Sequence, residues 1–69
     1  MNDDLFLEPH QRRVVDEANE LAVRIVRLRE FMEGTSFAHL GADEQDRLTR
    51  QFRFMHGYSG VLTERIAAF

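Results

Sequence analysis

The stretch Asp43–Phe69, DEQDRLTRQFRFMHGYSGVLTERIAAF, decides the fold. At about 100° per residue, Leu48, Phe52, Met55, Ser59, Leu62, Ile66 and Phe69 recur at spacings of 4-3-4-3-4-3, an apolar seam along one side of a long helix. A second line at the same kind of spacing, Phe54, Tyr58, Val61, Arg65 and Ala68, runs on a neighbouring face. Upstream, Pro9–Glu33 carries Val14, Ala18, Leu21, Ile25, Leu28 and Met32 at spacings of 4-3-4-3-4, with Val15, Ala22 and Val26 widening the same side. Gly34–Ala42 breaks the two stretches apart, and a break this short makes them antiparallel neighbours. The expected fold is all-α: an antiparallel helical hairpin with a short helical turn between the helices. A lone hairpin has one internal face to fill, and this chain offers at least two. It should therefore assemble into a compact homo-oligomer, with its function between subunits.

Size leads to the same expectation. The 69 residues make a single domain, 1–69, in which residues 1–8 form an N-terminal arm whose Leu5, Phe6 and Leu7 are apolar enough to dock. Chains below ~70–80 residues usually need a staple, and the absence of cysteine removes disulfides and thiolate metal sites, leaving oligomerisation. No apolar run approaches the ~20 residues of a membrane span, and the acidic start Met1-Asn2-Asp3-Asp4 is unlike a secretory signal. A soluble, cytoplasmic protein is expected. The net charge of −3 disfavours DNA or long RNA. All nine basic residues are Arg, whose planar fork matches phosphate and stacks on bases, although a GC-rich genome alone accounts for that usage.

Local signals place the ends. Pro9 suits the first helical turn, and Gly34 suits a helix stop in the left-handed region. Thr35 and Ser36 can cap a single turn that sets Phe37 and Leu40 on one side. Asp43, Glu44 and Asp46 put negative charge at the start of the second helix, as its dipole prefers.

Catalytic and metal motifs are missing. His10, His39 and His56 are far apart, and none has a partner at helical metal spacing. Carboxylates fall in pairs such as Glu20–Arg24, which reads as a salt-bridged surface. The chain is read as a non-enzyme with no cofactor.

Three constellations remain. Arg13, Arg24 and Arg27 fall within ~60° on the first helix, with His10 one turn before Arg13; they make either a solvated charged face, shared with Glu17 and Glu20, or an anion site with an imidazole for stacking. Arg29 points into the apolar stripe, to snorkel or to reach an acidic partner or ligand. On the second helix Arg47, Arg50, Phe54, Tyr58, Val61 and Arg65 line one face beside Gly57, Ser59 and Gly60. Each helical Gly costs ~1 kcal/mol relative to Ala, a cost tolerated where a backbone or a ligand approaches closely. Tight packing at an oligomer axis and a pocket for a phosphate-bearing ligand both fit.

The run Pro9-His10-Gln11-Arg12-Arg13-Val14-Val15-Asp16-Glu17, then Glu20-Leu21 and Leu28–Phe31, resembles the first helix of the anti-CBASS protein 2 family. These are phage cyclic-nucleotide sponges whose hairpin is shared with a Thoeris anti-defence sponge. Phe37, Leu40, Arg47-Leu48, Gln51, Met55, Tyr58-Ser59, Val61-Leu62 and Arg65-Ile66 are similar to the family's ending. The resemblance covers residues 8–69, and the order and spacing of the motifs carry more weight than any one of them.

The resemblance implies a non-enzymatic sponge, acting in the cytoplasm of the infected host, that sequesters cyclic di- and trinucleotide messengers and blocks CBASS-type immunity. It implies a hexamer of hairpins, a trimer of interlocked dimers. The dinucleotide pocket would use His10 and Arg24, where the family pattern has Tyr and Lys, with Arg13 and Arg27 beside them. The trinucleotide pocket would use Arg65, with Tyr58, Ser59 and Gly60. A helical-bundle adaptor that binds a protein through the Phe54–Tyr58–Arg65 face is the alternative, and an RNA-binding bundle a weaker third.

Overall fold

The computed structural model describes residues 6–69, and the described residues are all-helical, without a strand. Helix α1 spans Pro9–Met32, α2 is the single turn Thr35–Ala38, and α3 spans Ala42–Ala67. The long helices have 24 and 26 residues, so each is ~36–39 Å long. Nine residues, 33–41, connect them, four wound into α2, and such a connection reaches roughly 25 Å. That is too short to return to the start of α1, so α3 packs against α1 in the opposite direction. Of the N-terminal arm, only Phe6 onward lies within the described residues; Phe6 is exposed and Leu7 half-buried.

The seam is where the spacing puts it. Val14, Leu21, Ile25 and Leu62 form the buried cluster, with Ala18, Phe52, Met55 and Ile66 packed against it. Leu62 is the deepest, at 1% exposure. Phe69 falls outside the seam: α3 ends at Ala67, and the Phe69 ring stays 43% exposed. The molecule measures 47 × 20 × 14 Å, two helices wide and about one helix thick. Its radius of gyration is 15.5 Å, against ~11 Å for a compact chain of this length. A layer this thin has one internal line of contact and no second side to bury.

The ends refine the expectations. Pro9 occupies the first turn of α1, and the backbone N–H of Glu8 donates to Gln11 Oε1 at 2.9 Å, half of a capping box. Asp43 and Glu44 lie in the first turn of α3, whereas Asp46 lies one step beyond and pairs with Arg50 instead. Gly34 differs from its expected role. At φ −94° and ψ 173° it is extended and caps the start of α2, and no described glycine has positive φ. Helix α1 therefore stops by turning into extended backbone at Gly34, whose N–H donates to the Phe31 carbonyl at 3.1 Å. Thr35 and Ser36 lie inside α2 and do not cap it.

The connection is held by a side chain that the sequence pattern does not single out. The Gln45 amide donates to the carbonyls of Leu40 at 3.0 Å and Phe37 at 3.1 Å, with a longer contact to Ala38 at 3.4 Å. It satisfies the open C-terminal end of α2 from the first turn and a half of α3. Phe37 also meets Phe31 edge to face, centroids 6.3 Å apart.

Two outcomes follow from this geometry. Gln45→Ala removes the clamp and should cost ~1–2 kcal/mol, lowering Tm by roughly 4–15 °C in thermal unfolding followed by circular dichroism. Gly34→Ala should be neutral or stabilising by up to ~1 kcal/mol, because any residue adopts its dihedrals and an added Cβ meets only the Phe31 carbonyl oxygen at 3.5 Å and that of Glu30 at 3.7 Å. A loss of stability in that variant would show that Gly34 is needed for another reason.

Candidate functional site

On α1 the candidate residues His10, Arg13, Arg24 and Arg27 are all exposed. They share one side of the helix, but fourteen residues separate His10 from Arg24, or ~21 Å along the axis. One hairpin does not bring the imidazole and that guanidinium together. Arg27 lines a shallow groove of about 370 Å³ with Ala22, Val23, Val26 and Glu30, on the side of α1 turned from the seam. The expected Glu20–Arg24 pair does not form, whereas Arg47–Glu44 and Arg50–Asp46 are ion pairs on α3. Arg29 is exposed in the last turn of α1, where its charge complements the helix dipole, and does not enter the seam.

On α3 the four candidates divide. Tyr58 and Arg65 are two turns apart and ~20° in azimuth, so they share a face, and both are exposed. Ser59 is rotated by 100° toward the α1 contact and is half-buried; its carbonyl accepts from Thr63 Oγ1 at 3.0 Å. Gly60 lies ~140° from Arg65, on the far side of the helix. Within one hairpin these four do not make a single pocket. Built Cβ atoms at Gly57 and Gly60 would meet nothing within 4 Å, so the close approach these glycines permit is not made inside the protomer.

A further concavity lies along the Tyr58 face. Arg47, Arg50, Gln51, Phe54, Met55 and Tyr58 line an open groove of about 570 Å³. Phe54 is 70% exposed, an unusual position for a phenyl ring. Arg47 Nε donates to Glu44 at 2.7 Å and Arg50 Nε to Asp46 at 3.0 Å. Each bond commits one of five guanidinium N–H donors and leaves the others for a further partner. Arg47, Arg50 and Phe54 were legible as an alternating Arg and aromatic line; Gln51 and Met55 sit at its edge, where the seam and the line meet. His56 stacks edge to face on Phe52 with centroids 4.7 Å apart, and His39 Nδ1 donates to the Thr35 carbonyl at 2.8 Å, so both have local structural roles. Among the described residues no group of three His, Asp or Glu could hold a metal ion. No helix there is long and apolar enough to cross a membrane.

Comparison with known proteins covers almost the whole hairpin. Residues 8–68 match the Sequestin family. The chain is 38% identical over 60 residues to an uncharacterised 7.5 kDa protein from the denB–rIIB intergenic region of Enterobacteria phage T4, an alignment spanning 87% of this chain and 94% of that one. No solved structure matches. The matched span runs from the capping residue Glu8 to the end of α3, taking in both long helices and every candidate residue, and the chain belongs to the Sequestin family, a family of phage sponges for nucleotide signals.

Proposed function

We propose that this protein is a non-catalytic sponge for cyclic oligonucleotide messengers, and that by holding them it blocks CBASS-type immunity in the cytoplasm of the infected host. The observation that carries the reading is the distribution of Arg. An acidic chain with a net charge of −3 keeps Arg13, Arg24, Arg27 and Arg65 exposed on two defined faces, and seats an aromatic ring, Tyr58, on the Arg65 face. Phosphates and bases need those two groups, guanidinium forks and π faces. Sequestration needs only tight, stoichiometric binding.

Since one hairpin does not bring His10 to Arg24, or Gly60 to Arg65, the pockets in this proposal form between copies of a homo-oligomer, the hexamer being the assembly that the family resemblance implies. His10 stacks on a base of a cyclic dinucleotide while Arg24, with Arg13 and Arg27, binds phosphate. Arg65, repeated by symmetry, gathers positive charge for a cyclic trinucleotide beside Tyr58, Ser59 and Gly60. A second reading, a protein-binding adaptor, is favoured by one observation: the exposed Phe54 face has a rim whose charges are already paired.

A thermal-shift screen against cyclic di- and trinucleotides separates the two. A ligand at 100 times its Kd stabilises the native state by ~2.7 kcal/mol, which in a domain of this size raises Tm by roughly 10 °C or more, whereas an adaptor shows no shift. Recovery of unaltered ligand after denaturation distinguishes a sponge from a nuclease.

Calorimetry on variants assigns the residues. Arg24→Ala should weaken dinucleotide binding tenfold or more, since a charge-assisted contact contributes ~1.5–3 kcal/mol, with the oligomer's mass unchanged. Equal affinity would return the α1 cluster to a solvated salt-bridge face. Arg65→Ala should abolish trinucleotide binding and spare dinucleotide binding. Loss of both ligand classes together would refute two separate pockets.

A further inference from the structure

One cation at the open end of the hairpin has no acid of its own. Arg47 and Arg50 each find a carboxylate three or four residues back, in Glu44 and Asp46. At the same offsets Arg65 has Leu62 and Val61 behind it and Ala68 and Phe69 ahead, all apolar. Its side chain is exposed and forms no ion pair among the described residues.

The acids that can reach it come from the start of the chain. Helices α1 and α3 have 24 and 26 residues and run antiparallel, and Val14 and Ile66 meet at one cluster, so the first turn of α1 lies beside the last turn of α3. Packed helix axes are about 8–10 Å apart, and Arg65 is roughly 3 Å along the axis from the end of α3 at Ala67. Asp4 and Asp3 stand four and five residues before Glu8, a chain length of up to ~13–18 Å. Residues 1–5 precede the described part of the chain, and that length spans the gap to Arg65. Asp3, Asp4 and Glu8 are unopposed by any Arg, Lys or His in residues 1–8. An apolar contact is open at the same end, where Phe6 is 74% exposed and Phe69 43%.

We propose that the amino-terminal arm folds back over the end of its own hairpin, seating Asp3 and Asp4 on the Arg65 guanidinium and Leu5 and Phe6 against Phe69. The arm is then a built-in competitor for anions at Arg65. The contact stands without a ligand; its consequence rests on the reading of Arg65 as a phosphate-binding residue. Two adjacent carboxylates match the donors of a guanidinium fork. An exposed pair of this kind is weak, so a ligand with several phosphates displaces it, whereas a lone phosphate gains little by doing so. The competing seat for the arm is the positive end of α1, whose first turn holds no acid.

The test places a nitroxide on Asn2→Cys in the full chain, a unique thiol because the sequence has no cysteine. Without nucleotide, the backbone amides of Arg65 and Phe69 should be broadened in heteronuclear spectra. Replacing Asp3 and Asp4 with Asn should largely relieve that broadening, and Arg65→Gln should do the same at Phe69. An arm seated on the α1 terminus leaves it unchanged by Arg65→Gln. Nitroxide-bearing protein mixed with isotope-labelled protein that lacks the nitroxide should leave Arg65 sharp, because the contact lies within one copy. In calorimetry with a cyclic trinucleotide, the Asp3→Asn, Asp4→Asn chain should bind roughly threefold tighter or more at low salt. The advantage should vanish near 1 M salt, where charges are screened within about 3 Å. Broadening that survives either set of replacements, broadening passed equally between copies, or trinucleotide binding no tighter in the Asn variant would overturn the proposal. If neither chain binds a cyclic trinucleotide, the Arg65 pocket of the proposed function fails, and the nucleotide-free spectra still decide the arm contact.

Discussion

Leu62 sits where Val14, Leu21 and Ile25 converge, and this contact is the only one in the described protomer that takes several large apolar side chains out of water together. The arrangement of α1 and α3 depends on it. A helix pair one layer thick has a single internal line, and seam residues to either side of that line, such as Leu28, Met32 and Leu48, reach only partial burial. A small domain with so few buried residues has little stability in reserve, and every further apolar face left in water adds to the drive to associate. A second copy and a ligand would each draw on that same exposed surface.

The turn between the helices shows how a polar side chain can shape a fold whose pattern is apolar. The α2 turn is too short to persist alone, since nucleating a helix is costly and few of its bonds are internal. Gln45 satisfies its open carbonyl end from outside. That contact sets where α3 begins relative to the end of α1. Phe31 and Phe37 add an edge-to-face contact on the α1 side of the same turn. Polar satisfaction here works with the seam, because the seam sets which residues of α1 and α3 face one another while the clamp sets how α3 enters.

The Arg residues divide by environment. Arg47 and Arg50 are held by carboxylates within one turn, Arg29 and Arg65 lie in the last turns of their helices, and Arg24 makes none of the pairings that its neighbours on the wheel would allow. Exposed pairs within one helix contribute little to stability and can exchange partners at small cost. The same feature makes the surface adaptable: a phosphate or a neighbouring subunit's carboxylate can take up donors that the protomer holds weakly.

Periodicity alone determined the class of fold, the two long helices to within a residue or two of their ends, and the buried seam residues, while Ala22, Val26 and Phe69, read on the same side, lie exposed outside it. That follows because a helix repeats every 3.6 residues wherever it is, and the side that must leave water is written directly in the spacing. The Arg and aromatic line on α3 was legible for the same reason. What the spacing did not contain was the partner each face meets. Gln45 is one polar residue among many until the backbone of α2 is placed beside it. Gly34 reads as a left-handed stop until the chain is seen to leave α1 through extended backbone. Tyr58, Ser59, Gly60 and Arg65 look like one cluster when written in a row, yet a rotation of 100° per residue sends them to three sides of α3, and ~21 Å of helix separates His10 from Arg24. Proximity in sequence becomes proximity in space only along a face, and only the tertiary structure decides which faces are covered and which remain open for a second molecule.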